Sequence, residues 1–144
     1  MVPIFFGTYE HQLDDKNRLR IPAKFKKALS DKEGKPCYYF ARGKDDCIYV
    51  LTEEYLSELL EKISGERLGN ASPASLMFVS SISPAEEDPQ GRVVLPAKLK
   101  EIAGIKKDIV TVGRVTRLEI WAPDKLAQYT KSEEYSTIFT TLGI

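Results

Sequence analysis

The chain has 144 residues with 21 basic and 21 acidic side chains, so its formal net charge is zero. That excludes a generally basic protein that coats nucleic acid, and leaves room for a local basic patch. No apolar run approaches the ~20 residues of a membrane helix, and the start, Met1-Val2-Pro3-Ile4-Phe5-Phe6, has neither a basic stretch nor a cleavage site, so neither a membrane span nor secretion is expected.

In chain order, Ile4 to Leu13 reads as a strand running into Asp14-Asp15-Lys16-Asn17-Arg18-Leu19-Arg20-Ile21-Pro22-Ala23-Lys24-Phe25-Lys26-Lys27. Asp14 opens a turn, and Asn17 tolerates the left-handed backbone that a tight turn needs. Leu19-Arg20-Ile21 suits a short strand, and Pro22 is placed to open a helix that buries Phe25, Ala28 and Leu29. A polar loop, Ser30 to Lys35, follows. Then Cys37 to Ala41 and Cys47 to Leu51 flank a Gly43-containing turn, the pattern of a hairpin. Thr52 is placed to cap a helix from Glu53 to Ile63, and Gly65 to Asn70 reads as a linker.

The second half repeats this order. Ser72-Pro73 starts a helix through Leu76 and Met77. Asp88-Pro89-Gln90-Gly91-Arg92-Val93-Val94-Leu95-Pro96-Ala97-Lys98-Leu99-Lys100-Glu101 then aligns with residues 14–27 at a constant offset of 74, with six identities in fourteen positions. Chance would give about one. Gly91 stands where Asn17 does, and the helix after Pro96 has Leu99, Ile102 and Ala103 on its apolar side, with Gly104 as its cap. A second hairpin runs from Ile109 to Trp121 around Gly113, and Pro123 starts a helix through Leu126 and Tyr129. Residues 130–144 read as a weakly ordered or partner-dependent tail. Strands are expected at 4–13, 18–21, 37–41, 47–51, 82–86, 92–95, 109–112 and 118–121. The short, regularly spaced strands point to a β-rich α+β protein, a small barrel-like core with flanking helices.

Assembled chemistry is absent from the pattern. There is one histidine, His11, and no Cys/His spacing that suits zinc. No phosphate loop or nucleophile motif appears. Cys37 and Cys47 read as reduced core cysteines and Trp121 as core or interface. No enzyme, cofactor, metal or small-molecule substrate is expected. The basic residues are the exception. Residues 14–27 hold six basic side chains against two acidic ones, and the second copy holds three against two. Lys16, Arg18 and Arg20 alternate, so on a strand they share one face, suited to phosphate or guanine edges, with Arg92 alongside. Asp14, Asn17, Asp88 and Gly91 are expected to structure the turns. Phe5, Phe6, Ile138 and Phe139 find no partner in the intrachain pattern, which points to a homo-oligomer larger than a dimer.

The two Asp-x-x-x-Arg motifs, Asp14 to Arg18 and Asp88 to Arg92, each lead into a short apolar strand and a Pro-Ala-Lys helix. In this the sequence resembles the MraZ family over nearly its whole length, with Asn17 where that family often has Gly. The resemblance implies an AbrB/SpoVT-like swapped-hairpin fold, in which residues 1–70 and 71–144 are two pseudo-symmetric repeats forming one double-split β-barrel. It implies a cytoplasmic, nucleoid-associated bacterial transcription regulator of the division and cell-wall gene cluster. Such a protein binds direct repeats in promoter double-stranded DNA as a ring-shaped homo-oligomer, with the Asp-x-x-x-Arg surface implicated in DNA contact. The alternative is a ring-forming, antitoxin-like module that binds a protein partner without specific DNA binding.

Overall fold

The computed structural model describes residues 3–65 and 72–144, so most of the expected linker lies outside the described residues. The order is β1 (Thr8–Gln12), β2 (Arg18–Leu19), α1 (Ala23–Lys26), β3 (Tyr38–Arg42), β4 (Ile48–Thr52), α2 (Glu53–Gly65), α3 (Pro73–Ser81), β5 (Ser83–Pro84), β6 (Val93–Val94), α4 (Ala97–Ile102), β7 (Asp108–Gly113), β8 (Leu118–Trp121), α5 (Pro123–Thr130) and α6 (Thr137–Leu142). This is a mixed α+β, strand-rich fold.

Six strands form one antiparallel sheet in the order β1-β7-β8-β4-β3-β5. Its centre is the β4–β8 pair, and each hairpin is extended by the first strand of the other half: β1 lies on β7, and β5 lies on β3. Reversing the order and exchanging the halves returns the same arrangement. Strands β1 and β5 remain edges, so the sheet is open rather than a closed barrel among the described residues. A separate two-stranded ribbon, β2 with β6, joins the two Asp motifs directly.

Alternation along the strands sorts the core. Tyr38, Phe40, Ile48, Val50, Leu118 and Ile120 point to one side, where Leu19, Ile21, Val93, Leu95, Phe25 and Leu99 of the ribbon and its following helices pack on them. Ala41 and Leu51 point to the other side, beneath Leu56 of α2 and Phe78 of α3. The second hairpin buries Glu119 there instead. Its carboxylate accepts hydrogen bonds from Arg117 Nε (3.0 Å), Arg114 Nη1 (3.2 Å) and Trp121 Nε1 (2.9 Å). A buried charge persists only when paired and hydrogen-bonded in this way.

Several expectations need correction. The helices begin at Ala23 and Ala97, with Pro22 and Pro96 one residue earlier as caps at ψ 135° and 129°. Their rings fit because a capping N–H also has no helical partner, and the extended ψ keeps Ile21 and Leu95 in the core. Phe5 is no interface residue. It is 2% exposed, stacks edge-on against Phe25 at 6.0 Å, and exchanges both backbone hydrogen bonds with Val115. Those two bonds help hold Val115 at φ 66°, an unusual conformation for a β-branched residue. The left-handed turn positions of the two hairpins are thus Asp45, Asp46 and Val115, not the glycines. Cys37 is only half-buried, whereas Cys47 is buried and both thiols are free. The expected weak tail contains the helix α6, whose side chains are exposed.

Gly113 serves close approach. A Cβ there would stand 2.3 Å from the backbone nitrogen of Phe6. Gly113→Ala is therefore expected to push the strand leading into β1 off the second hairpin and to cost about 1–3 kcal/mol. Thermal melting checks this, with Gly34→Ala as the contrast, since a Cβ at Gly34 meets nothing within 4 Å and perturbs only its own turn.

Candidate nucleic-acid interface

The two Asp motifs close the same turn by the same bonds. Asp14 Oδ1 accepts from the backbone N–H groups of Lys16 and Arg18, both at 2.9 Å, and Oδ2 accepts from Arg18 Nε at 2.7 Å. Asp88 Oδ1 accepts from Gln90 and Arg92 N–H, both at 2.9 Å, and Oδ2 from Arg92 Nε at 2.8 Å. In each, the Asp N–H donates to the carbonyl of its arginine, and the left-handed residue donates back to the Asp carbonyl. That residue is Asn17 at φ 58° and Gly91 at φ 79°. A third turn of this kind escaped the sequence reading. Asp31 Oδ1 binds the N–H groups of Glu33 and Lys35 at 2.9 Å around Gly34 at φ 81°. The Asp-x-x-Gly-basic spacing of residues 31–35 was its signal. Lys35 lacks the guanidinium fork, and this loop feeds β3 rather than the ribbon.

The ribbon brings the two arginine turns together. Arg18 lies opposite Val94 and Leu19 opposite Val93, and the same register places Arg20 opposite Arg92 one step on. Leu19 and Val93 are buried. Arg18, Arg20, Arg92 and Val94 therefore share the outward face. Cross-links fix it: Leu95 N–H donates to the Asn17 carbonyl (2.9 Å), Arg20 Nε donates to the Gln90 carbonyl (3.2 Å), and Arg18 Nη1 lies 3.8 Å from Asp88 Oδ2. Lys16 is not on this strand face. Left-handed Asn17 interrupts the alternation, so Lys16 stands in the turn with its side chain exposed.

The arginines share the structural part expected of Asp14, Asn17, Asp88 and Gly91. Each commits its Nε edge to its own turn, and the guanidinium is held in a set direction. Beside the ribbon lies an open cleft of about 630 Å³, lined among others by Tyr9, His11, Asp15, Arg20 and Lys107. His11 is half-buried, its Nε2 2.7 Å from Thr111 Oγ1, and burial lowers its pKa. Among the described residues no group of His, Cys, Asp and Glu is arranged to hold a metal, and no helix is long and apolar enough to cross a membrane.

The two turns differ beneath. Position 13 is buried Leu13, while its counterpart is Glu87, which accepts hydrogen bonds from Lys26 Nζ and the buried Tyr38 hydroxyl. This network ties α1 of the first half to the second turn.

A strand-rich α+β sheet completed by exchange of first strands, carrying two Asp–Arg turns on one ribbon, defines the class. The family model described as "MraZ protein, putative antitoxin-like" matches residues 4–76 and 83–141. Relatives named "Transcriptional regulator MraZ" include those of Symbiobacterium thermophilum (38% identical, 95% of this chain and 96% of the relative) and Natranaerobius thermophilus (38%, 92% and 91%). That of Clostridium beijerinckii is 37% identical over 90% of this chain and 89% of the relative. The chain belongs to the MraZ family.

The turn carboxylates set a pH limit. Burial alone would raise the Asp14 pKa, but the N–H and guanidinium of Arg18 and the N–H of Lys16 outweigh it and hold it below the usual value of 3.8. At Asp88 the N–H of Arg92 leads in the same direction. Depressed folded values mean that the stability these groups contribute is present above the unfolded value and is lost as pH falls through the folded ones. Melting temperature should therefore drop below about pH 4, and the drop should shrink in the Asp14→Asn/Asp88→Asn double variant, which melts lower at neutral pH. Gly91→Ala should cost about 1 kcal/mol through its left-handed backbone, read from the shift of the urea-unfolding midpoint.

Proposed function

We propose that this chain is a sequence-specific DNA-binding transcription regulator, and that the β2–β6 ribbon is the surface that meets the double helix. The observation that carries this is the convergence of Arg18, Arg20 and Arg92 on one outward face, each turn braced by its own aspartate. A two-stranded ribbon fits the major groove, and arginine pairs with guanine O6 and N7 or clamps phosphate. Bracing removes much of the side-chain ordering that binding otherwise costs. Lys16 stands beside this face as a phosphate contact. The names of the relatives support the reading.

The finer reading follows the family. Residues 1–70 and 71–144 act as two AbrB/SpoVT-like repeats of a swapped-hairpin, double-split barrel, and the exchange of β1 and β5 between hairpins supports it. The protein works in the cytoplasm on the nucleoid, on direct repeats in the promoter of the division and cell-wall gene cluster. It is not an enzyme and uses no cofactor. It assembles as a ring, for which the exposed Ile4, Phe6 and Val115 near one edge and Leu76 and Met77 on α3 provide apolar surface. One ribbon carries few cations, two of them partly offset by Asp14 and Asp88. Several ribbons on one assembly raise the effective concentration, so tandem sites are held far better than single ones.

Fluorescence anisotropy with a duplex from upstream of the chain's own coding sequence tests this. Among the described residues Arg20 makes one hydrogen bond, an exposed one to the Gln90 carbonyl, so Arg20→Ala should weaken binding tenfold or more, on the order of 1–3 kcal/mol per lost bidentate contact, while lowering the melting temperature only slightly. Arg18→Ala should lower both affinity and melting temperature, because it also unlatches Asp14. Affinity should fall steeply with salt. Parent-like binding by both variants would place DNA elsewhere and move the antitoxin-like, protein-partner reading ahead.

A further inference from the structure

The DNA reading leaves one residue of the ribbon face without a role. Three of its four outward positions are arginines. The fourth is Val94, which is 56% exposed. A single exposed apolar side chain on a protein surface is ordinary, and valine suits a strand. Its place is what is unusual. The offset that matches the two motifs pairs Val94 with Arg20, so the repeat puts a cation in one copy and an isopropyl group in the other at equivalent positions. Val94 stands directly across from Arg18, at a separation of about 5 Å between Cβ atoms. That is on the scale of one base-pair step, about 3.4 Å.

The chemistry of a groove limits what such a side chain can meet. Phosphate oxygens and most base-edge atoms are hydrogen-bonding groups, and an isopropyl group set against them would strip their water without replacing it. The apolar feature of the major-groove edge is the 5-methyl group of thymine. Resting on the proposed DNA reading, we infer that Val94 is a specificity-determining residue, packing on the 5-methyl group of a thymine next to the base that Arg18 contacts. The ribbon then reads hydrogen-bonding edges with its arginines and one methyl group with Val94. The swap of Arg20 for Val94 between the copies gives the pseudo-symmetric ribbon a direction on the duplex, as direct rather than inverted repeats require.

The test removes the methyl group from the DNA and its partner from the protein. Each thymine of the bound duplex is replaced in turn by deoxyuridine, which pairs identically but lacks the methyl. Affinity is measured for the parent, Val94→Ala and Val94→Thr. The parent should lose about fourfold in affinity at the sensitive thymine of a repeat, the scale of one buried methyl group. Val94→Ala should bind the thymine duplex more weakly and lose this sensitivity, and Val94→Thr, which keeps one methyl, should retain part of it. All three should melt alike because the side chain is exposed. A parent that binds the duplex in an Arg20-dependent way yet is indifferent to every uracil overturns the Val94 assignment alone, as does equal uracil sensitivity in Val94→Ala. A parent that does not bind the duplex overturns the DNA reading and this inference with it.

Discussion

The structure turns on one constraint: a carboxylate that must satisfy two backbone N–H groups and one guanidinium at once. Asp14 and Asp88 each do so, and in doing so they close a five-residue turn and fix the arginine that ends it. Without that closure the two strands of the ribbon would have no defined start, since each is only two residues long. A two-residue pair has little stability of its own. It persists because its inward residues, Leu19 and Val93, sit on the core shared with the six-stranded sheet. The same bonds that make the fold therefore aim the side chains that the outer face presents.

The two halves obey one plan and depart from it at a few positions, each with a local cause. Buried Leu13 becomes Glu87, which binds Lys26 and Tyr38 and stitches the halves together. Tyr49 of the first hairpin faces Glu119 of the second across β4 and β8, and Arg117 lies over the Tyr49 ring at 4.4 Å while holding that carboxylate. Arg20 becomes Val94 on the outer face. The first two exchanges fill the interior in different ways, and the third replaces a cation by an apolar side chain on the outer face. A chain with zero net charge can thus concentrate cations at one place.

Much of this was legible in the sequence, because the signals were local or repeated. The turn chemistry at Asp14-Asn17 and Asp88-Gly91, the hairpins and the short helices after Pro22 and Pro96 follow from residue preferences that act within a few positions. What was missed depends on contacts distant in sequence. Phe5 is core because Val115 lies across from it, more than a hundred residues away, and no periodicity near Phe5 reports that. Lys16 leaves the strand face because Asn17 takes a left-handed conformation, which alternation alone ignores. The dual part of Arg18, holding Asp14 while facing outward, needs the carboxylate's position and not only its spacing. Glu119 is buried because Arg114, Arg117 and Trp121 meet on its carboxylate, which a carboxylate within a strand-like run does not by itself announce.

The central claim is that the ribbon made by the two Asp–Arg turns is the face presented to DNA. A crystal or cryo-EM structure of the assembled protein on a duplex holding its tandem sites tests it most directly. The β2–β6 ribbon should lie in the major groove, with Arg18, Arg20 and Arg92 within hydrogen-bond distance of bases or phosphates and both Asp–Arg latches still closed. A duplex lying on another surface, with these arginines facing solvent, would contradict it.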